Sequence, residues 1–163
     1  MAALTQRPET DPDRIRAQAG EIALWWLGQS GFLISMGGLR IVIDPYLSDS
    51  LATKYAGTAL PHIRMMPPPV APEGLTGLDW LLLTHGHSDH MDPGTIGPLM
   101  RANPLMRALV PAAEREKAIA RGVPEDRLVL TDAGETVHLG GEVTAVATPS
   151  AHEDVATDAA GRH

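Results

Sequence analysis

LDWLLLTHGHSDH, from Leu78 to His90, is the stretch of the chain that decides its fold. Residues 78–83 form an almost continuous apolar run, which is typical of a strand buried on both faces. Three of the seven histidines of the chain lie in the positions that follow, beside an aspartate. Asp92-Pro93 comes next, and proline at the first helical position favours a helix start there. The sequence therefore predicts a strand, a polar loop and a helix, with the loop at the carboxyl end of the strand.

The loop carries side chains that bind transition metals. His85 and His87 are two residues apart, so in an extended stretch both imidazoles project to one side and can reach one cation. Asp89 and His90 lie one step further on and can turn toward a second position. Nitrogen and carboxylate donors suit Zn, Mn, Fe or Ni, and the absence of cysteine restricts any such site to these donors. A second interpretation is structural, with the histidines capping the following helix.

Strand and helix patterns continue on both sides of the loop. Upstream, the sequence predicts an antiparallel group of three strands over residues 22–27, 31–36 and 39–43. Gly37-Gly38 predicts a tight hairpin turn between the last two of them. Downstream, it predicts a strand, a helix, a strand and a final hairpin over residues 105–110, 111–121, 128–130, 136–139 and 143–147. The fold class is therefore mixed, α+β or α/β.

Residues 46–77 show no clear periodicity and contain the proline-rich run from Met65 to Pro72. A segment of this length inside a compact domain is usually functional or disordered. Two interpretations stay open, a solvated connector and a lid that shapes a substrate pocket. His138 near the end of the chain is interpreted as a surface residue. For His62 in this segment, a surface role is favoured over a contact with substrate.

Composition narrows the class of protein. A length of 163 residues predicts one domain, and a formal charge of −7 argues against nucleic acid or an anionic membrane as the main partner. Residues 1–20 are polar and lack the apolar core of a signal peptide, so we interpret them as an N-terminal extension. No run of 18 apolar residues is present, which predicts no membrane span. We expect a cytoplasmic protein that acts on a small molecule.

Four short motifs resemble a known family. Thr84-His85-Gly86-His87-Ser88-Asp89-His90 is similar to the T-H-x-H-x-D-H signature of the metallo-β-lactamase superfamily of hydrolases. The segments 26–32 (WLGQSGF), 44–46 (DPY) and 149–153 (PSAHE) resemble the branch that includes the L-ascorbate-6-phosphate lactonases. The resemblance runs from about Glu21 to the last residue, and it implies a four-layer αββα sandwich.

The same resemblance implies a set of metal ligands: His85, His87, Asp89, His90 and His152. The three imidazoles at 85, 87 and 152 would bind the first ion, and Asp89 and His90 the second. Asp44 matches the family's aspartate that braces the metal-binding loop, and such a partner orients imidazoles and raises their basicity. One or two divalent ions are implied, with Zn or Mn expected, and Asp89 would also accept a proton during catalysis.

The family's second half supplies a bridging aspartate and a last histidine, and neither follows His152 here. We therefore expect residues 21–163 to be the N-terminal portion of the hydrolase domain, with the sandwich incomplete in this chain. One apolar sheet face would then lack a partner sheet. Such a face favours association with a second copy or with a C-terminal half.

Two functions are compatible with these motifs. The first is a metal-dependent, lactonase-like hydrolase in which a hydroxide on the metal attacks a lactone, ester or phosphodiester centre of a small substrate, which can be anionic. The alternative is a truncated, non-catalytic fragment that binds metal without turnover. A serine hydrolase is disfavoured because residues 28–31 (GQSG) lack the G-x-S-x-G spacing of a nucleophile elbow.

Overall fold

A six-stranded mixed sheet organises the chain, which the computed structural model describes over residues 11–149 and 157–162. Its strands lie side by side in chain order: β1 (Ile22–Gly28), β2 (Gly31–Met36), β3 (Leu39–Ile43), β4 (Trp80–Leu82), β5 (Arg107–Pro111) and β6 (Leu128–Thr131). The first three strands pair antiparallel, and β3 to β6 pair parallel. The predicted mixed class and the antiparallel start are confirmed.

Local sequence signals explain the first hairpins. Gly37 and Gly38 have φ values of 57° and 80°, so both occupy the left-handed region that a two-residue turn between β2 and β3 requires. The ladder that follows pairs Met36 with Leu39 and Phe32 with Ile43. The hairpin that the Gly-Gly pair predicts is therefore confirmed.

Helices connect the parallel strands, as parallel pairing requires. They are α1 (Ser50–Lys54), α2 (Pro93–Ala102) and α3 (Arg115–Ala120), with 3-10 turns at Pro12–Arg14, Pro72–Gly74, Ala112–Glu114 and Glu125–Arg127. The predicted start of α2 is confirmed, because the Asp92 side chain accepts a hydrogen bond from the Gly94 N–H. The helix predicted over 111–121 is wrong in extent: a 3-10 turn comes first, and α3 begins after Glu114, whose ψ is 7°. The short α1 lies in a segment whose sequence predicts no element.

The main core lies between the sheet and the helices. Strand residues that point to this side include Leu33, Val42, Leu81, Ala108 and Val110, and they pack with Ile96, Leu99, Met100 and Ala118 of the helices. Alternate residues of each strand face the same side, so β3, β4 and β5 each contribute to the same layer. Fully burying one such leucine or valine stabilises the fold by roughly 1.5–3 kcal/mol.

A separate hairpin covers the centre of the opposite sheet face. Its strands are β7 (Thr136–Gly140) and β8 (Val143–Val146), and its Leu139 and Val143 pack on Ile41, Trp80 and Leu109. The Trp80 indole N–H donates to the Leu139 carbonyl at 2.8 Å. The expectation that this face lacks a partner sheet is therefore wrong for its centre, since a two-stranded sheet covers it.

The edge of that face at β1 stays open in the described structure. Ile22, Leu24 and Trp26 are 68%, 63% and 47% exposed. They lie directly opposite Met36, Ile34 and Phe32 of β2. Opposite residues of an antiparallel pair share a face, so this exposed row continues the apolar surface on which the hairpin packs. The predicted uncovered surface is thus confined to the β1 side.

Part of the predicted N-terminal extension contacts the sheet. The Arg40 guanidinium donates to the Pro12 carbonyl at 2.7 Å, and the Ala17 N–H donates to the Ser35 hydroxyl at 3.0 Å. Ile15 packs on the main core. Within the described ranges, no helix has the length and apolar character needed to cross a membrane.

A close contact between two glycines predicts a measurable stability difference. Gly122 follows α3 with φ of 103°, and a Cβ placed there would lie 2.8 Å from Gly97 Cα in α2. Gly134 also has a positive φ, 87°, but a Cβ there meets open space. We expect Gly122→Ala to lower the free energy of unfolding in urea by about 1–3 kcal/mol more than Gly134→Ala does. Equal losses would contradict a steric origin.

Candidate metal centre

The histidine loop, residues 84–90, lies at the carboxyl end of β4 and leads into α2. Its backbone forms a tight turn, because the N–H groups of His90 and Met91 both donate to the His87 carbonyl, at 3.2 and 2.7 Å. The loop also lies beside the end of β3, since β3 and β4 are parallel neighbours and the Asp44 N–H donates to the Leu82 carbonyl. Two strand ends therefore supply the frame of the candidate site.

Three imidazoles gather on this loop. The ring centroids of His85 and His87 are 4.7 Å apart, and those of His85 and His90 are 4.0 Å apart. Burial lowers the pKa of His85, and the nearby imidazoles of His90 and His87 lower it further. The neutral imidazole is the form that binds a cation, so the crowding that disfavours protonation of His85 favours ligation.

Asp44 joins the two strand ends to the histidine loop. Its buried carboxylate accepts from the Thr84 N–H at 2.8 Å, the Thr84 hydroxyl at 2.5 Å and His90 Nδ1 at 2.8 Å. The hydrogen bond to Asp44 raises the pKa of His90, and burial opposes that rise. Asp44 itself has φ of 43°, a left-handed conformation that Asp tolerates better than most residues. A turn immediately after β3 thereby directs the carboxylate at the loop.

The second ring nitrogen of His90 faces away from Asp44. His90 Nε2 lies 3.2 Å from the Ser30 hydroxyl and 3.7 Å from Asp89 Oδ2. An imidazole whose one nitrogen is held by a carboxylate presents the other in a defined direction, which is how proteins orient metal-ligating histidines. The geometry suits the roles predicted for Asp44 and His90, and those roles stay predictions.

Ser30 and His62 lie closer to this region than the sequence suggested. Ser30 contacts His90 from the turn between β1 and β2, and the neighbouring Gln29 places its amide nitrogen 2.9 Å from His62 Nε2. His62 is partly exposed, and its ring packs edge-on to Tyr46 with a centroid distance of 5.8 Å, a contact that the sequence did not indicate. His138 is exposed, as predicted. The only sequence signal that includes Ser30 is the motif at 26–32, and this motif does not indicate that Ser30 contacts His90.

The structure brings most of the predicted site residues together: Asp44, His85, His87, Asp89 and His90. The remaining predicted ligand, His152, lies outside the described residues. Across 11–149 and 157–162, no group of three or more histidine or carboxylate side chains is arranged to hold a metal ion. The donor types nevertheless fit a borderline divalent cation. His85 and His87 form a neighbouring pair, and a third donor is needed to complete a site.

Comparison with known proteins gives the family. The model of a family described as "Beta-lactamase superfamily domain" matches residues 23–161, which includes the histidine loop and the strands that carry it. The chain belongs to the metallo-β-lactamase superfamily. Among solved structures of similar fold, the isothiocyanate hydrolase from Delia radicum gut bacteria is 28% identical, with a TM-score of 0.53 over 71% of this chain and 42% of that one.

Curated relatives of this superfamily member are longer than the chain. The uncharacterized protein Rv0906 of Mycobacterium tuberculosis is 31% identical over 147 residues, which are 89% of this chain and 38% of that protein. A UPF0173 metal-dependent hydrolase of Aeropyrum pernix is 29% identical over 146 residues, covering 81% of this chain and 52% of its own length. The chain thus spans about two fifths to one half of the length of these relatives.

The bond between Asp44 and His90 predicts a pKa change. Asp44→Asn keeps the shape of the side chain and the tolerance for a left-handed backbone, but it removes the negative charge. We expect the pKa of His90 to fall, because the imidazolium loses the acceptor that raises it. NMR titration of the histidine ring protons in metal-free protein measures the change, and Asp126→Asn, at an exposed position, is the control.

The same pair has a defined dependence of stability on pH. The pKa of His90 is higher in the folded protein than in the unfolded chain. The stabilisation from protonated His90 is therefore present in full below the unfolded pKa, and it is lost as the pH rises through the folded pKa. The stability difference between the wild type and Asp44→Asn should therefore shrink as pH rises through that range. An unchanged His90 pKa in the variant would contradict the assignment.

Proposed function

We propose that this chain carries the metal-binding part of a metal-dependent hydrolase that acts on a small lactone, ester or phosphodiester. The observation that carries the proposal is the gathering of three imidazoles, with the rings of His87 and His90 4.7 and 4.0 Å from that of His85, and a buried carboxylate that holds His90. The names of two relatives, a metal-dependent hydrolase and an isothiocyanate hydrolase, support this reaction class. The net charge of −7 favours a small substrate over nucleic acid.

The nitrogen and oxygen donors of the histidine loop, together with His152, give the proposed metal ligands. His85 and His87, together with His152, would hold one divalent cation, and Asp89 and His90 would contribute to a second, with Zn or Mn the expected metals. A bound divalent cation supplies a Lewis acid that makes water nucleophilic at neutral pH and stabilises negative charge developing on the substrate. Asp44 keeps His90 oriented through Nδ1, so that its Nε2 stays available on the site side.

Asp89 is the proposed proton acceptor. Its carboxylate is 42% exposed, which leaves it accessible to solvent and substrate, and its Oδ2 lies 3.7 Å from His90 Nε2. In hydrolysis the attacking water must give up a proton as its oxygen forms the bond to the reacting centre, and a carboxylate at the site can take that proton. The leaving oxygen then takes up a proton, which balances the reaction.

A second candidate function is metal binding without turnover. One observation favours it: within residues 11–149 and 157–162 no three-donor group is complete. Under this alternative, the histidine loop would bind a cation with help from His152, without turning a substrate over.

His87→Ala separates these functions when it is compared with the wild type. We expect the wild-type chain to bind Zn²⁺ or Mn²⁺ and to hydrolyse a generic lactone or a generic phosphodiester. The variant should lose metal binding and turnover together, since it removes one of the two adjacent imidazoles. Metal content per chain and hydrolysis rate are the measurements, and His138→Ala, at an exposed histidine in β7, is the matched control.

Each outcome distinguishes the proposals. About one ion per chain without turnover supports the metal-binding alternative. Turnover in the wild type that is lost in His87→Ala and kept in His138→Ala supports the hydrolase. Wild-type levels of metal binding or turnover in His87→Ala would refute the assignment of the histidine loop as the metal centre.

A further inference from the structure

We infer that Arg121 is a positioning residue for the proposed metal centre: it holds the backbone of the histidine loop and so sets the placement of the imidazoles. The inference rests on the proposed function for its metal readout, but its structural part does not depend on it. Arg121 lies at the end of α3, about 30 positions after the loop, and no sequence motif points to it.

The contact joins one guanidinium nitrogen to carbonyls along the loop. Arg121 Nη1 donates to the Gly86 carbonyl at 2.9 Å and to the Met91 carbonyl at 2.7 Å. The His87 carbonyl is also within 3.4 Å of the same nitrogen. These carbonyls bracket the backbone that carries His87 and His90, so one charged group ties the two ends of that segment together. Hydrogen bonds from a charged donor are stronger than neutral ones.

The arginine is itself firmly placed. Its backbone N–H donates to the Lys117 and Ala118 carbonyls, which caps α3. The next residue, Gly122, lies so close to Gly97 of α2 that a Cβ there would overlap the backbone of Gly97. The guanidinium therefore extends from a junction between two helices, and α2 is the same helix into which the histidine loop leads. Arg121 therefore fixes the position of the loop relative to α2, the helix that follows it.

Glu114, at the end of the preceding 3-10 turn, and Lys117 of α3 contact the loop in a second way. Glu114 and Lys117 form an ion pair at 2.5 Å. A Cβ at Gly86 would collide with both of these side chains, so the loop backbone lies directly against them. Because Gly86 separates His85 from His87, this contact and the bonds from Arg121 act on the point between the two neighbouring imidazoles. The segment from Glu114 to Arg121 thus contacts the loop backbone at Gly86 through three side chains.

Loss of the Arg121 bonds should affect the metal through geometry alone. The donor atoms of His85, His87 and His90 remain, but the backbone that carries them samples more conformations, and binding must then order it. Groups bonded directly to ligating side chains change metal affinity by about 10–100-fold when they are removed. Arg121 acts through the loop backbone, so we expect its effect near the lower end of that range. The expected signature is weaker binding with an unchanged number of ions per chain.

The chain offers a matched control at Arg127. Its Nη1 donates to the Met100 and Asn103 carbonyls at 3.1 and 2.9 Å, which is the same chemistry at the far end of α2. Arg121→Gln and Arg127→Gln therefore each remove a guanidinium from backbone carbonyls, and only the first acts on the histidine loop. Both variants are made in the full 163-residue chain, with thermal unfolding recorded to compare their general stability.

Two measurements test the inference. Zn²⁺ titration by calorimetry should show a Kd raised about tenfold or more in Arg121→Gln. The number of bound ions should be unchanged, and Arg127→Gln should leave the Kd at the wild-type value, because Arg127 does not contact the histidine loop. Amide hydrogen exchange in metal-free protein should be faster at His90 and Met91 in Arg121→Gln, but unchanged there in Arg127→Gln. Arg121→Lys, which keeps one charged donor, should give intermediate values.

The outcomes separate this inference from the proposed function. Equal effects of Arg121→Gln and Arg127→Gln on Zn²⁺ affinity, or unchanged exchange at His90 and Met91 in Arg121→Gln, would overturn the positioning role. If the wild type binds no Zn²⁺ while Arg121→Gln still accelerates that exchange, the metal proposal fails and the support of the loop by Arg121 stands. Faster exchange together with a raised Kd supports both.

Discussion

The carboxylate of Asp44 is the interaction on which the arrangement of the site depends. Strands β3 and β4 are parallel neighbours, so their carboxyl ends lie side by side, but the sheet alone does not fix the path of the chain beyond them. Asp44 does so with one side chain, accepting from Thr84 at the start of the histidine loop and from His90 at its end. Its backbone adopts a costly left-handed conformation to reach them. Two carboxylate oxygens thereby determine both the entry and the exit of the loop.

The parts of the fold that depend on local signals were predictable. A continuous apolar run marks β4, a Gly-Gly pair marks the turn between β2 and β3, and Asp92 with Pro93 marks the start of α2. Each signal acts over a few residues, through backbone preference or alternation of side chains. The crowding of imidazoles on one loop follows from the same kind of spacing, since His85, His87 and His90 are neighbours in the chain. Boundaries were less predictable: Glu114 divides a single helical pattern into a 3-10 turn and α3.

Contacts between distant segments were not predictable. Ser30 and His90 are 60 residues apart, and Arg121 reaches carbonyls 30 to 35 residues upstream. Every residue has a backbone carbonyl, so the sequence does not show which carbonyls an arginine will contact. Neither periodicity nor a motif could therefore identify Arg121 as a residue that holds the histidine loop. The ring contact between His62 and Tyr46 was unpredictable for a related reason, because an isolated histidine in a proline-rich segment carries no signal for its partner. In each case tertiary packing supplied the partner.

The hairpin of β7 and β8 forms its own two-stranded sheet and packs face to face on the larger one, rather than extending its ladder. It can therefore open as a unit of its own while the six strands keep their hydrogen bonds, in the manner of local unfolding seen in other domains. Trp80 lies at the contact, buried and bonded through its indole N–H to Leu139, whereas Trp26 is already exposed on β1. We therefore expect the fluorescence of the three tryptophans to be a composite: Trp80 should report the docking of the hairpin, whereas Trp25, which packs on the main core, should report the sheet itself.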